Sequence, residues 1–443
     1  MTRPPVAIGV LLLLGVVLLA VFTVAVDDHL RAATATGPDG SAVVPVVVAA
    51  GPDGSATDIE AVRERLERVP DDWQARARLG IAHVEQARIT GDPSHYPRAE
   101  EALRASLEEQ PDGNDLAATG MGALANARHE FADAATWAER ALRSNPHNAT
   151  AFGVLADARV QLGQYDRATR AVQRMLDIRP DLPALTRASY DLELRGRVED
   201  ATALMQRALD QTHSASALAW VHTQLSHLAF STGELDAARA HADRGLALAP
   251  GDSGLSVALA RVLAAEGREQ EAVARWEGVV SDRPLPEYLL EYGAYLTSLG
   301  RQDEAADQFE VFAAAQQLFA ANGVSDDLGL ARYEADFGDP AAAVDHARAE
   351  LDRQATVDAA DALAWALHRT GRDEEALAHA RRATRHGSDP TALYHRGMIE
   401  RALGLTDDAV EHLAAALERN PHFSPLHAPR AAAALADLRQ GTR

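Results

Sequence analysis

Cysteine and lysine are both missing from the 443 residues, and aromatic residues make up only 5% of them. Without cysteine there is no disulfide, no thiolate metal site and no cysteine nucleophile. A lipoprotein anchor, which is built on an N-terminal cysteine, is excluded as well. The absence of lysine beside 43 arginines reads as a genomic bias towards arginine rather than as chemistry. Positive charge is outweighed throughout, for the formal net charge is −22. Nucleic-acid affinity depends on basic residues that displace counterions, so no nucleic-acid partner is expected; an acidic surface keeps a long chain soluble or suits a salty medium.

What the chain does contain begins with an apolar run. Val6 to Val26 is 21 residues without a charge, long enough at 1.5 Å per helical residue to cross a bilayer core. Arg3 precedes it and Asp27 and Asp28 follow, which places the N-terminus in the cytoplasm and the remainder across the membrane. Residues 1–26 are therefore expected to form a single transmembrane anchor. The alternative is a secretory signal cleaved near Thr23-Val24-Ala25 or Ala33-Thr34-Ala35, leaving a secreted protein. Residues 27–57 read as a flexible tether, because Gly37-Pro38-Asp39-Gly40-Ser41-Ala42 recurs as Gly51-Pro52-Asp53-Gly54-Ser55-Ala56 and such turn-forming segments build no core.

Beyond the tether the pattern is helical and periodic. Between Asn148 and Pro180, Ala168, Ala171, Val172, Met175 and Leu176 follow i, i+3, i+4, i+7 and i+8, the stripe of a half-buried helix. Asn148 is placed to cap one helix, Gly163 to close it and Pro180 to stop the next. The unit recurs: Gly163, Gly196, Gly233, Gly267, Gly300, Gly338, Gly371 and Gly404 are spaced by 33, 37, 34, 33, 38, 33 and 33 residues. Five residues after each stands an alanine, Ala168, Ala201, Ala238, Ala272, Ala305, Ala343, Ala376 and Ala409. The glycine permits a tight turn and the alanine a close helix pair. Ten hairpins are expected. The second carries His129 in the glycine's place, and the eighth departs most, with an overlong helix through Phe309 to Ala321 and an awkward start at Asp339-Pro340. Asp58 to Val69 and Ala428 to Gln440 are expected to cap the two ends.

A helical pair of about 34 residues with such landmarks resembles the tetratricopeptide repeat. Leu79-Gly80 and Met121-Gly122 match the family's close-packing pair, with Leu155-Ala156, Leu259-Ala260, Leu363-Ala364 and Arg396-Gly397 as variants. The resemblance implies an all-α fold: an α-solenoid of about ten helix-turn-helix repeats over residues 58–426, with a capping helix and tail over residues 427–443, preceded by the single N-terminal transmembrane helix.

No catalytic constellation emerges. Gly251-Asp252-Ser253-Gly254 matches the nucleophile segment of trypsin-like proteases only until Leu255, and it lies in a link between hairpins. His129-Glu130 opens a zincin-like pattern that fails at Asp133. His422 and His427 flank Pro425 in a loop; Asp407-Asp408 and Glu374-Glu375 precede second helices, where the helix dipole favours them. Asn148-Ala149-Thr150 is a lone glycosylation sequon. No enzyme activity, cofactor or metal is expected.

The resemblance implies instead a concave surface lined by the first helices. Mapping onto that pattern places Tyr190, Trp220, His227, Phe230, Trp365 and Tyr394 on or near it, with Glu193, Arg261, Asp361, Arg369 and Arg401; aromatic groups beside arginines suit peptide recognition. For each aromatic, packing between repeats is the competing role. The expected function is a membrane-tethered, non-catalytic scaffold for protein or peptide partners, in the cell membrane with the repeats extracytoplasmic. The alternative is a secreted or periplasmic carrier of a small or polymeric ligand.

Overall fold

The computed structural model describes residues 52–385 and 389–441, and among them every regular element is an α-helix. A leading helix α1 (Pro52–Arg68) is followed by ten antiparallel hairpins. These are α2 (Trp73–Thr90) with α3 (His95–Glu109), α4 (Asp115–Ala127) with α5 (Phe131–Ser144), α6 (Ala149–Gln161) with α7 (Tyr165–Ile178), and α8 (Leu182–Glu193) with α9 (Val198–Gln211). Next come α10 (Ala215–Ser231) with α11 (Leu235–Leu248), α12 (Ser253–Ala265) with α13 (Glu269–Asp282), and α14 (Pro286–Ser298) with α15 (Gln302–Ala321). The last three are α16 (Asp327–Asp336) with α17 (Pro340–Arg353), α18 (Val357–Arg369) with α19 (Asp373–Ala383), and α20 (Pro390–Ala402) with α21 (Thr406–Arg419), and α22 (His427–Gly441) closes the array. The apolar run at residues 6–26 lies outside the described residues; among those described, no helix is long and apolar enough to cross a membrane.

Most hairpins start on a side-chain cap; α14, behind Leu285, has none. Asn114, Asn148, Asp181, Ser214, Asp252, Thr356 and Asp389 accept the N–H three residues on, an arrangement worth about 1 kcal/mol per helix. The protease-like segment at Gly251 is thus a helix cap, Asp252 accepting from Leu255 at 2.8 Å. Asn148, the sequon residue, also donates its amide to Asp115 at 2.9 Å. The repeating alanines are fully buried from Ala168 to Ala409, and any side chain at Gly80 would collide with Leu103 of α3, so the close-packing positions hold consecutive helices at contact distance.

Three expectations change. The first helix opens at Pro52, inside the stretch assigned to the tether. Pro340 is no obstacle, for it takes the first position of α17, where no N–H is needed, behind Asp339, which caps Ala341. The overlong helix is α15, the second helix of hairpin seven rather than part of hairpin eight, and its extra length has a destination.

That destination is the first part of the array. Phe319 and Val324 enter an apolar cluster with Tyr96, Leu103, Met121 and Leu124 of hairpins one and two. Four hydrogen bonds span 190–196 residues: Arg283 donates to Ile89 O, His129 Nδ1 lies 2.8 Å from Ser325 O, Val357 N donates to Tyr165 Oη at 3.0 Å, and Asn420 donates to Phe230 O at 2.8 Å. In each, the turn of hairpin one, two, three or five meets the linker that enters the sixth element pair further along, α22 standing for the eleventh. The solenoid therefore completes a superhelical turn in six hairpins, and the second turn rests on the first along a seam.

Two turn positions show what the seam requires. At Gly163 (φ 66°) a side chain would collide with Ala355 O. At the equivalent place in hairpin two stands His129, the sole non-glycine residue with positive φ (64°) among those described, a conformation that disfavours L-residues. Its buried ring bridges to Ser325 and stacks on Phe131. The strained turn is retained because glycine has no side chain to reach the neighbouring superhelical turn.

Paired histidines join the two helices of hairpins one and five: His83 and His95 at 2.8 Å, His222 and His241 at 2.9 Å, Nδ1 to Nδ1. One ring donates and the other accepts, so each pair is neutral. Burial, with the neighbouring imidazole second, lowers His83 and His241 to about 4, and burial lowers His95 and His222 also. A histidine whose folded pKa lies below its unfolded value of about 6.5 contributes fully above pH 6.5 and loses that contribution as pH falls towards 4. Replacing His222 and His241 together by leucine is expected to flatten the decline in unfolding free energy between pH 6.5 and 4. Equal declines in wild type and variant would show that the pair does not titrate as assigned.

Candidate interaction surface

Consecutive first helices mostly pack on one another, whereas consecutive second helices make no comparable contact. The first helices therefore line the inside of the curve and the second helices its outside. A groove of about 620 Å³ opens on the outside between α11 and α13 and is rimmed by charged groups such as Arg239, Asp243, Arg268 and Asp282.

On the inner wall, a ladder of polar contacts links several first helices to the next. Asp157 of α6 holds Arg187 of α8 through two bonds, Nε–Oδ1 2.9 Å and Nη2–Oδ2 2.7 Å. Glu193 meets His227 at 2.9 Å, and Arg261 meets Glu291 through two bonds of 2.6 Å. Trp365 Nε1 donates to Asp336 at 3.0 Å, Asp361 lies 2.9 Å from His395 Nδ1, and Arg369 donates to Ala335 O at 2.9 Å. A charged pair one repeat apart on facing first helices is what a stack of near-identical units can offer, and it fixes their register.

The ladder redistributes the residues singled out by sequence. Tyr190, Glu193, His227 and Arg261 stand on the inner wall; His227 is exposed and Glu193, through Coulombic attraction, raises its pKa. Trp220 and Phe230 are half-buried on α10, Trp220 with its Nε1 enclosed and unpartnered and Phe230 with its carbonyl at the seam. Trp365 and Tyr394 are 5% and 1% exposed: they pack with His395, Phe423 and His427 between hairpins nine and ten and α22. Their aromatic bulk is core, since the last repeat must bury its open side against the cap. Asp361 and Arg369 belong to the ladder, and Arg401 faces Asp437 of α22 at 3.5 Å.

The inner wall also holds carboxylates that the sequence reading passed over. Asp358 and Asp389 keep access to solvent, yet burial raises both, with neighbouring carboxylates adding to the shift. Both observations hold for groups on a concave wall, open to solvent on one side and flanked by protein on the other. Asp358 senses Glu193, although one belongs to hairpin nine and the other to hairpin four, so the two superhelical turns present their acids to the same space. Glu287 of α14 is raised well above the usual carboxylate range by burial, with Asp326 second, and its Oε2 is enclosed without a partner. In sequence these acids sit at or near the starts of first helices, where an acid is explained by the helix dipole alone, so nothing marked them out.

Two family models, both of the tetratricopeptide repeat, match the chain, over residues 125–188 and 374–425. Similar solved structures include a thermophilic TPR protein from Thermus thermophilus, at 22% identity, covering 43% of this chain and 99% of that one with a TM-score of 0.38. A TPR protein from Parabacteroides merdae is 16% identical, covering 58% and 97% with a TM-score of 0.36. A human IFIT1 dimer is 14% identical, covering 82% and 94% with a TM-score of 0.42. No curated protein matches the chain. With its helical hairpins and these two matches, the array is a TPR-like solenoid, and proteins of that repeat are generally protein-interaction scaffolds.

Proposed function

We propose that this solenoid of tetratricopeptide type is a non-catalytic scaffold that holds a polypeptide partner along its inner wall, and that residues 6–26 tie it to a membrane. The observation that carries the reading is the set of inner-wall acids, Glu287, Asp358 and Asp389, kept in surroundings that disfavour their charge. A charge held against its environment lowers stability, and such groups persist where function requires them. These three carboxylates suit a partner segment carrying arginine or lysine. Fold alone does not name the partner, because function resides in the surface grafted on the framework.

The test uses the double variant Glu287→Gln, Asp358→Asn. A carboxylate whose folded pKa is raised weakens the fold at neutral pH, so its neutral amide is expected to leave stability unchanged or higher by about 1 kcal/mol. Crosslinking in native membranes, followed by mass spectrometry, is expected to yield a partner with wild type and to lose most of it with the variant. Equal recovery would reject the inner wall as the binding surface. Membrane attachment is tested apart from this: recovery of a shortened protein mainly from the culture supernatant would reject the anchor.

A further inference from the structure

We propose that the seam is a latch: the two superhelical turns separate along it, converting a closed tube into an open solenoid whose inner wall is reached from the side. The seam differs in kind from the packing within each turn. Among the described residues it carries side-chain-to-backbone bonds from Arg283, His129, Tyr165 and Asn420 and an apolar plug, Phe319 with Val324. Within the second turn, by contrast, one apolar cluster runs unbroken from Ala331 to Leu438 through hairpins eight to ten and α22. Another joins hairpins five to seven, from Ala242 to Phe309. Between these two bodies stands a small cluster on hairpin seven, Leu289, Phe312 and Ala315, touching Leu330 and Tyr333.

The consequence for binding follows from dimensions. Six hairpins, with first helices roughly 10 Å apart, place the helix axes on a circle of about 10 Å radius. Helices about 10–12 Å thick then leave a channel on the order of 10 Å across. A chain end threads such a channel, but a segment in the middle of a folded partner enters only from the side, through an opened seam. This consequence rests on the inner-wall reading above; the latch itself does not, and its test needs no partner.

Because the chain has no cysteine, a pair introduced at Arg167 and Asp352, on either side of the seam, takes spin labels alone. Pulsed electron–electron distance measurement on wild type is expected to give a short main population. Phe319→Ala, which removes the plug, and independently the double variant His129→Gly, Tyr165→Phe, which removes two seam bonds, are each expected to shift weight to a longer distance with unchanged helical circular dichroism. Should Phe319→Ala unfold, the double variant decides. In the same backgrounds a cysteine at position 227 (His227→Cys) is expected to react with a bulky polyethylene-glycol maleimide about tenfold faster once the seam is cut, local opening being the step that admits the reagent, while N-ethylmaleimide labels all of them alike. A single short distance in wild type and the double variant, with unchanged labelling, overturns the latch. A seam that opens while wild-type crosslinking still captures no partner along the inner wall leaves the latch standing and rejects only the binding reading.

Discussion

Arg187→Ala is expected to destabilise the protein by about 3–5 kcal/mol, the penalty for leaving one member of a buried ion pair alone. Arg187 is 6% exposed and its two bonds to Asp157 join hairpins three and four on the inner wall. Burial already raises the Asp157 carboxyl to about 6 despite that guanidinium, so without it the carboxylate has little to hold its charge. Gly153 allows the arrangement, because a side chain there would press on the guanidinium, 3.1 Å from its Cζ. Denaturant unfolding measures the loss, and the double variant Arg187→Met, Asp157→Leu is expected to recover most of it, since well-packed apolar replacements of a buried pair are often neutral or stabilising. A loss below about 1 kcal/mol for Arg187→Ala would mean that solvent screens the pair as it does an exposed one.

Trp365→Ala is expected to cost about 3–5 kcal/mol, the range for truncating a buried aromatic. The indole stacks on His395 with ring centres 4.2 Å apart, touches Tyr394 and His427, and donates to Asp336. In a stacked array each unit leans only on its neighbours, so the damage is expected to stay local. Hydrogen exchange should accelerate in α18, α20 and α22 while α2 to α5 retain protection. Uniform acceleration along the chain would instead show that the array unfolds as one cooperative body. Intact exchange protection combined with lost partner binding would return Trp365 to the surface role that its position in the repeat first suggested.

The contrast between Trp365 and His227 shows how far the repeat pattern carries. Both lie on first helices at positions that the tetratricopeptide resemblance assigns to the concave side. His227 stands on that wall, paired with Glu193 of the hairpin before it; Trp365 is covered by the next hairpin and the terminal helix. A period of about 34 residues says which face of a helix looks inward, but what covers that face depends on a neighbour that the period does not describe. Likewise Glu287 and Asp358 were invisible, since an acid near the start of a helix has a sufficient local reason to be there.

Local chemistry by itself determined the hairpins: the capping residues, the glycines that turn between helices and the alanines that let them touch are short-range devices, each legible within a few residues. It determined the order of stacking too, because a hairpin with two apolar faces has to bury both against its neighbours. Only the tertiary structure decided that six hairpins complete a turn, that α15 is long because Phe319 reaches hairpins one and two, and that His129 replaces a glycine because its ring meets Ser325. These are contacts between residues 190 or more apart. They depend on small rotations between repeats that accumulate over the whole array, and no single repeat encodes their sum.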